Sequence, residues 1–244
     1  MTSTEAMIYQ LKNLKGKPLK QKLEHIITYF WLPILVTLAI LIATVSYIVH
    51  LATAKDMGLN VICLNARTNA EQTEIFIDEF ASYADIDTGE YDLYLSSDLT
   101  LSDANPTLSY ETYQVIVAQA AAKYLDLMAG DLDTMVSYFY QDFFGDLTQQ
   151  LTPRQQELYA PYFLYADMAV VRQIADSVDG LPEMPDPQKP EEMAQPVPVA
   201  LLLPEGSRLL EIYYPNATVP VCAGIPGNTE NLEHVLAFID YIME

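Results

Sequence analysis

Residues 26–49, "IITYFWLPILVTLAILIATVSYIV", form an uncharged run of 24 residues. As a helix rising about 1.5 Å per residue, the run reaches roughly 36 Å, enough to cross a hydrocarbon core about 30 Å thick. It therefore reads as a transmembrane helix and divides the chain into a basic segment (1–25), the span (26–49) and the remainder. Tyr29, Phe30 and Trp31 cluster at its start and Tyr47 stands near its end, where amphipathic rings favour the membrane interfaces. Pro33 falls in the first turns of this run, where a missing N–H costs least. Five lysines (Lys12, Lys15, Lys17, Lys20, Lys22) precede the run. The positive-inside bias then puts the N-terminus in the cytoplasm and the rest of the chain outside, a single-pass protein of the cell membrane in contact with the lipid bilayer. The competing reading is a cleaved signal peptide, because Ala52-Thr53-Ala54 satisfies an A-x-A pattern; the length of the apolar run argues against it.

Charge narrows the function classes. From residue 56 onward 31 acids face six bases, a balance of −25. Such a surface repels phosphate backbones, which excludes nucleic acid as a partner of the outer domain and favours a small neutral or cationic ligand. With 51% hydrophobic residues there is enough apolar material for a packed core. Cys63 and Cys222 each sit in an apolar strand-like run, where free cysteine behaves as a small hydrophobe, although a disulfide between them is compatible with the sequence. The three histidines are far apart, and no clustered Cys and His suggest a metal. Acid pairs such as Asp85-x-Asp87 and Asp131-x-Asp133, and Asp98 and Asp103, supply hard oxygens without the spacing of a calcium loop. Neither a glycine-rich phosphate loop nor a nucleophile elbow is present. The expectation is a non-catalytic chain with no cofactor.

The outer part alternates strand and helix signals. "LNVICL" (59–64) reads as a strand, and Phe76, Ile77, Phe80 and Ala84 then share one helical face. "YDLYL" (91–95) is a second strand, followed by a polar stretch with a turn at Asn105-Pro106. Ser109 is the expected N-cap of a helix whose Tyr113, Ile116, Val117, Ala120, Ala121 and Tyr124 recur every three or four residues as a core face. A brief apolar strand at 125–128 leads to Gly130-Asp131, and Asp131 is placed to cap a helix carrying Leu132, Met135, Val136 and Phe139. Thr152-Pro153-Arg154-Gln155 has the marks of a capping box with proline at the first helical position. "YFLYADMAVV" holds a further strand candidate.

Residues 181–204 contain seven prolines and read as an extended connection between a first part of the outer domain (50–180) and a second (205–244), not as a central strand. "VPVCAGI" (219–225) is a last strand, and Thr229 an expected cap for a helix with Leu232, Val235, Leu236, Ile239 and Ile242 in one stripe. Alternation of this kind implies an α/β fold: an open, mostly parallel sheet with flanking helices.

Taken together, "LNVICLNA", "YDLYLSSDL", "YETYQVIVAQAAAKYLDLMAGDLDTMVSYF", "FFGDLTQQLTPRQQELY" and the ending "VPVCAGIPGNTENLEHVLAFIDYIM" resemble the first lobe of extracytoplasmic solute-binding proteins of bacterial ABC transporters. The resemblance implies one lobe of a type II periplasmic binding protein, a solute-binding or transporter-accessory role at the bacterial cell surface, and a transporter or other membrane protein as partner. Only residues 166–218 stand where that family carries its second lobe, so the alternative is a structural or protein-interaction module that keeps the lobe without a ligand cleft. In such a sheet, ligands meet the carboxyl ends of strands where the strand order reverses. That selects Asn65, Arg67 and Asn69, then Ser96 and Ser97, then Gly130 and Asp131, and last Gly227 and Asn228.

Overall fold

The computed structural model describes residues 18–67, 69–101, 106–176 and 182–244. Lys12, Lys15 and Lys17, together with Asp103 and Asn105, lie outside them. Two compact units are present, Met1–Ala54 and Lys55–Glu244.

In the first unit, helix α1 (Leu19–Thr53) contains the stretch Trp31–Val49, which has a mean hydropathy of 2.5 and whose residues are all exposed. By length and composition it can cross a membrane. Because α1 already begins at Leu19, Pro33 stands in the helix interior and not in its first turns. The carbonyl of Pro33 in turn accepts a hydrogen bond from Thr37 Oγ1 at 2.8 Å.

The second unit is α/β. Its strands are β1 (Asp56–Cys63), β2 (Tyr91–Ser96), β3 (Leu127–Asp131), β4 (Phe163–Asp167), β5 (Pro196–Leu202) and β6 (Val221–Gly224), and they form one sheet in the order β2-β1-β3-β6-β5-β4. Parallel pairing is confined to β1 with β2 and β1 with β3; the pairs β3–β6, β6–β5 and β5–β4 are antiparallel. The sheet is therefore mixed, which corrects the expectation of a mostly parallel one. The returning strand enters from the opposite direction and lies between the two halves.

Alternating side chains send the two faces of the sheet into separate cores. One face, with Val61, Cys63, Leu95, Ala129 and Ala223, packs under α2 (Ala70–Tyr83) and a later helix (Leu232–Met243). There Phe76, Phe80, Phe238 and Tyr241 meet with ring centroids 5.0–6.4 Å apart. The other face, with Ile62, Leu64, Met128, Ala166 and Cys222, packs under α3 (Pro106–Ala121) and α4 (Leu132–Phe139). The remaining helices are α5 (Leu147–Gln150), α6 (Pro153–Tyr159), α7 (Met168–Asp176), α8 (Arg208–Tyr213) and α9, the helix Leu232–Met243 already met. The expected capping box of α6 is formed, with Thr152 and Gln155 bonding each other's backbone.

Four local expectations change. Helix α3 starts at Pro106, so Ser109 lies inside it and does not cap it. Among the residues of α3 whose burial is described, only Thr112 and Ile116 are buried, while Tyr113 and Val117 are about two-fifths exposed, at 41% and 40%; the helix rests on a narrower face than its apolar spacing suggests. Thr229 does not cap α9, whose N-cap position is Asn231; its hydroxyl instead bonds the buried carboxylate of Asp126. Within the proline-rich stretch, residues 196–202 form β5, a central strand. Pro196 and Pro198 lie N-terminal to the part that pairs with β6, which begins at Ala200, so their missing N–H groups cost no bond to that neighbour.

The rest of that stretch runs past the outer edge of β4, where Tyr165 N–H donates to the Pro187 carbonyl at 2.9 Å. It is pinned by Asp167, whose Oδ2 accepts from Ala194 N–H at 2.7 Å and whose Oδ1 accepts from Ala169 and Gln195 N–H. Burial alone would raise the pKa of Asp167, but these backbone donors hold it below the ordinary carboxylate value. A depressed folded pKa gives stability that is present above the unfolded value, near 4, and lost as pH falls through the folded one. Asp167→Asn should therefore lower the melting temperature at pH 7, and the gap from the parent should shrink below pH about 4. A gap that stays constant from neutral to acid pH would contradict the role given to Asp167.

Candidate functional site

The chain passes from β1 through α2 to β2 on one side, then through α3 to β3 on the other side of β1. The strand order thus reverses between β1 and β3, and their carboxyl ends are the place where an open α/β sheet admits a ligand. Here that place is filled by the protein itself. Asn65, just after β1, adopts the left-handed conformation (φ 55°), which asparagine tolerates better than most residues. Its backbone N–H donates to the Leu99 carbonyl at 3.0 Å, and its side-chain oxygen accepts from Leu101 N–H at 2.9 Å. Its amide nitrogen donates to Asp131 Oδ2 at 2.9 Å.

Asp131 has a double role. Its Oδ1 accepts from Thr134 N–H at 2.9 Å, the N-cap bond of α4, while Oδ2 also accepts from Thr134 Oγ1 at 2.9 Å. One carboxylate therefore caps a helix and ties the ends of two parallel strands. Deeper in, the Tyr214 hydroxyl donates toward the Leu64 carbonyl (2.9 Å) and the Ala129 carbonyl (3.2 Å), bridging β1 and β3 from within. Burial first, then the neighbouring Cys63 and Cys222 thiols and the Asp131 charge, raises the pKa of this hydroxyl well above its ordinary value. It stays a neutral donor. Gly130 is packed so closely that an added Cβ would stand 3.3 Å from both Leu64 and Met135.

The other selected residues divide. Arg67 is exposed, and its backbone N–H donates to the Tyr213 carbonyl at 2.7 Å. Asn69 caps α2 by accepting from Gln72 N–H at 3.2 Å. Ser96 and Ser97 are buried at the end of β2, and the Ser96 hydroxyl donates to Asp98. Gly227 and Asn228 are not brought to this edge. Because β6 is antiparallel, its last residue, Gly224, stands beside Met128 near the start of β3. At that opposite end Asn228 Nδ2 donates to the Ala120 carbonyl of α3 at 2.7 Å. The sequence-level grouping of all nine residues at one edge is corrected to seven and two.

Both cysteines are free and buried, and they project to opposite faces of the sheet, so no disulfide joins them. Burial pushes the Cys63 thiol up to about 12. Open volume lies to the side: a groove of about 380 Å³ runs between α2 and β2, past Ser96 and Ser97. No family model, curated protein or solved structure matches the chain.

Sequence reasoning did not find Tyr214, Thr134 or the 99–101 segment. Nothing local in "EIYYP" shows that one of its tyrosines reaches two strand ends that lie over 80 residues earlier. Thr134 was findable, as the third residue after a proposed cap. Asn65→Asp would set a second carboxylate against Asp131. The variant should lose about 1 kcal/mol at low salt, a small value because the pair is exposed. Most of that loss should return at high salt, which screens the repulsion. Urea midpoints at low and high salt check this; a variant as stable as the parent at low salt would show that the Asn65–Asp131 contact is not formed.

Proposed function

We propose that the chain is a non-catalytic, membrane-anchored interaction module of the bacterial cell surface, built on a solute-binding lobe whose ligand edge is closed. The observation that carries this reading is the occupied switch point: Asn65 and Asp131 bond each other, and Tyr214 bonds the carbonyls at the two strand ends where a solute would sit. A site whose donors and acceptors are already paired gains little from a ligand that must displace them.

Helix α1 serves as the anchor in this proposal. In this reading the lysines before it favour, by the positive-inside bias, a cytoplasmic N-terminus with the α/β unit outside, and the partner is a transporter or another membrane protein. One feature favours the solute-binding reading as second choice. The order β2-β1-β3, re-entered by the late strand β6, is what a lobe interrupted by a second segment and then completed would need.

The two readings separate in one experiment on the full-length chain in detergent micelles. A functional cleft exposed to ligand at one hundred times its Kd would stabilise the protein by about 2.7 kcal/mol. Against a panel of sugars and free amino acids, the interaction reading predicts no saturable rise in melting temperature, while crosslinking in intact membranes yields one defined protein adduct. A saturable rise with any of these solutes would overturn it.

A further inference from the structure

The two edges of the sheet are treated differently. The β4 edge is sheltered by the proline-rich stretch, to which Tyr165 N–H and the Tyr140 hydroxyl donate. Strand β2 is outermost on the other side, and among the described residues it pairs with β1 alone. An edge left open in this way is a template for another strand.

Along β2 the groove of about 380 Å³ has two walls. One is six consecutive residues, 93–98, of the strand and its end. The other is a single face of α2, with Ala70, Thr73, Glu74, Ile77 and Asp78 at spacings of three and four. Leu95 is buried in its floor, while Tyr94 stands half exposed, at 51%. A helix set alongside a free strand edge is the arrangement in which an extended peptide adds as a further strand and places alternate side chains between strand and helix. Six residues span about 20 Å at roughly 3.3 Å each, room for a segment of similar length.

Charge selects the occupant. Glu74, Asp78 and Asp98 line the groove and are exposed, and no lysine or arginine is among its lining residues. Two copies of the chain joined through β2 would bring two such acidic walls together, which disfavours self-pairing. We propose that the groove between α2 and β2 receives an extended basic segment of a partner protein, which adds as a seventh strand beside β2. This rests on the interaction reading above and names the surface and the partner chemistry.

The test uses the full-length chain in detergent micelles with two fluorescein-labelled probes, the blocked hexapeptides VKVKVK and VEVEVE. The lysine probe should bind saturably, at least tenfold more tightly than the glutamate probe, and should slow amide hydrogen exchange across residues 93–98. Glu74→Lys combined with Asp78→Lys, both at exposed helix positions, should reverse the preference. If that variant does not fold, Glu74→Gln with Asp78→Asn is used, and should abolish the preference. Three results would overturn the proposal: no saturable binding, binding that leaves exchange at 93–98 unchanged, or a preference indifferent to the α2 substitutions. Self-association that protects 93–98 without peptide would also overturn it, since the occupant would be a second copy. None of these results bears on the interaction reading, which stands or falls on the sugar and amino-acid panel.

Discussion

Four residues, Val221–Gly224, hold the sheet together. On one side β2, β1 and β3 form a parallel group; on the other, β5 and β4 form an antiparallel pair; among the described residues the two groups meet only through β6. The join is tight. An added Cβ at Gly224 would stand 2.6 Å from the Phe144 ring, so only glycine lets that ring pack against the strand. The loop that follows is drawn in by Asp126, fully buried, whose carboxylate accepts from Asn60 N–H and from Thr229 and Asn231. A buried carboxylate is tolerable only when its oxygens are this fully engaged.

The direction of β6 decides what each end of the sheet can do. At the carboxyl ends of β1 and β3 the segment leading into β6 arrives, with Tyr214 bridging the Leu64 and Ala129 carbonyls and Pro220 accepting from Leu132 N–H, while Asn65 and Asp131 bond each other nearer the surface. At the other end the 226–231 loop bonds Asp126 and α3, beside a groove of about 460 Å³ that Gly227 and Asn228 line with Tyr113 and Val117. The β4 edge is covered by the proline-rich stretch, whereas the β2 edge is lined by a groove of about 380 Å³ between strand and helix. The interaction reading follows from this distribution of closed and open surfaces, because an edge strand is stabilised by adding a neighbour whereas a filled crevice is not.

Much of the fold was legible because it is written in short-range chemistry. The period of Phe76 and Phe80, the β-branched run of β1, the Asp131 cap and the Thr152–Gln155 box are all local patterns, and each produced the element it announces. What was not legible depends on partners distant in sequence. The direction of β6 is set by where the chain re-enters, and alternation of apolar residues is the same whichever way a strand runs. Prolines at 196 and 198 read as a break, yet they are harmless because β6 is too short to reach them. In α3 the apolar spacing overstated the buried face, since helix periodicity shows which residues share a side, not whether a neighbour covers it. At the candidate site, asparagine and aspartate at strand ends were found, but their bonding to each other, which turns a possible ligand site into a closure, is a contact across 66 positions.

Native-state hydrogen exchange at two amides tests the closure most directly. Leu101 N–H is bonded to the Asn65 side chain and Thr134 N–H to Asp131, so both report on whether this edge opens. If the edge is permanently closed, both amides exchange within about tenfold of the slowest core amides, and added sugars or amino acids leave the rates unchanged. Fast exchange at these two positions, slowed by a solute, would mean an edge that opens to bind, and would contradict the account.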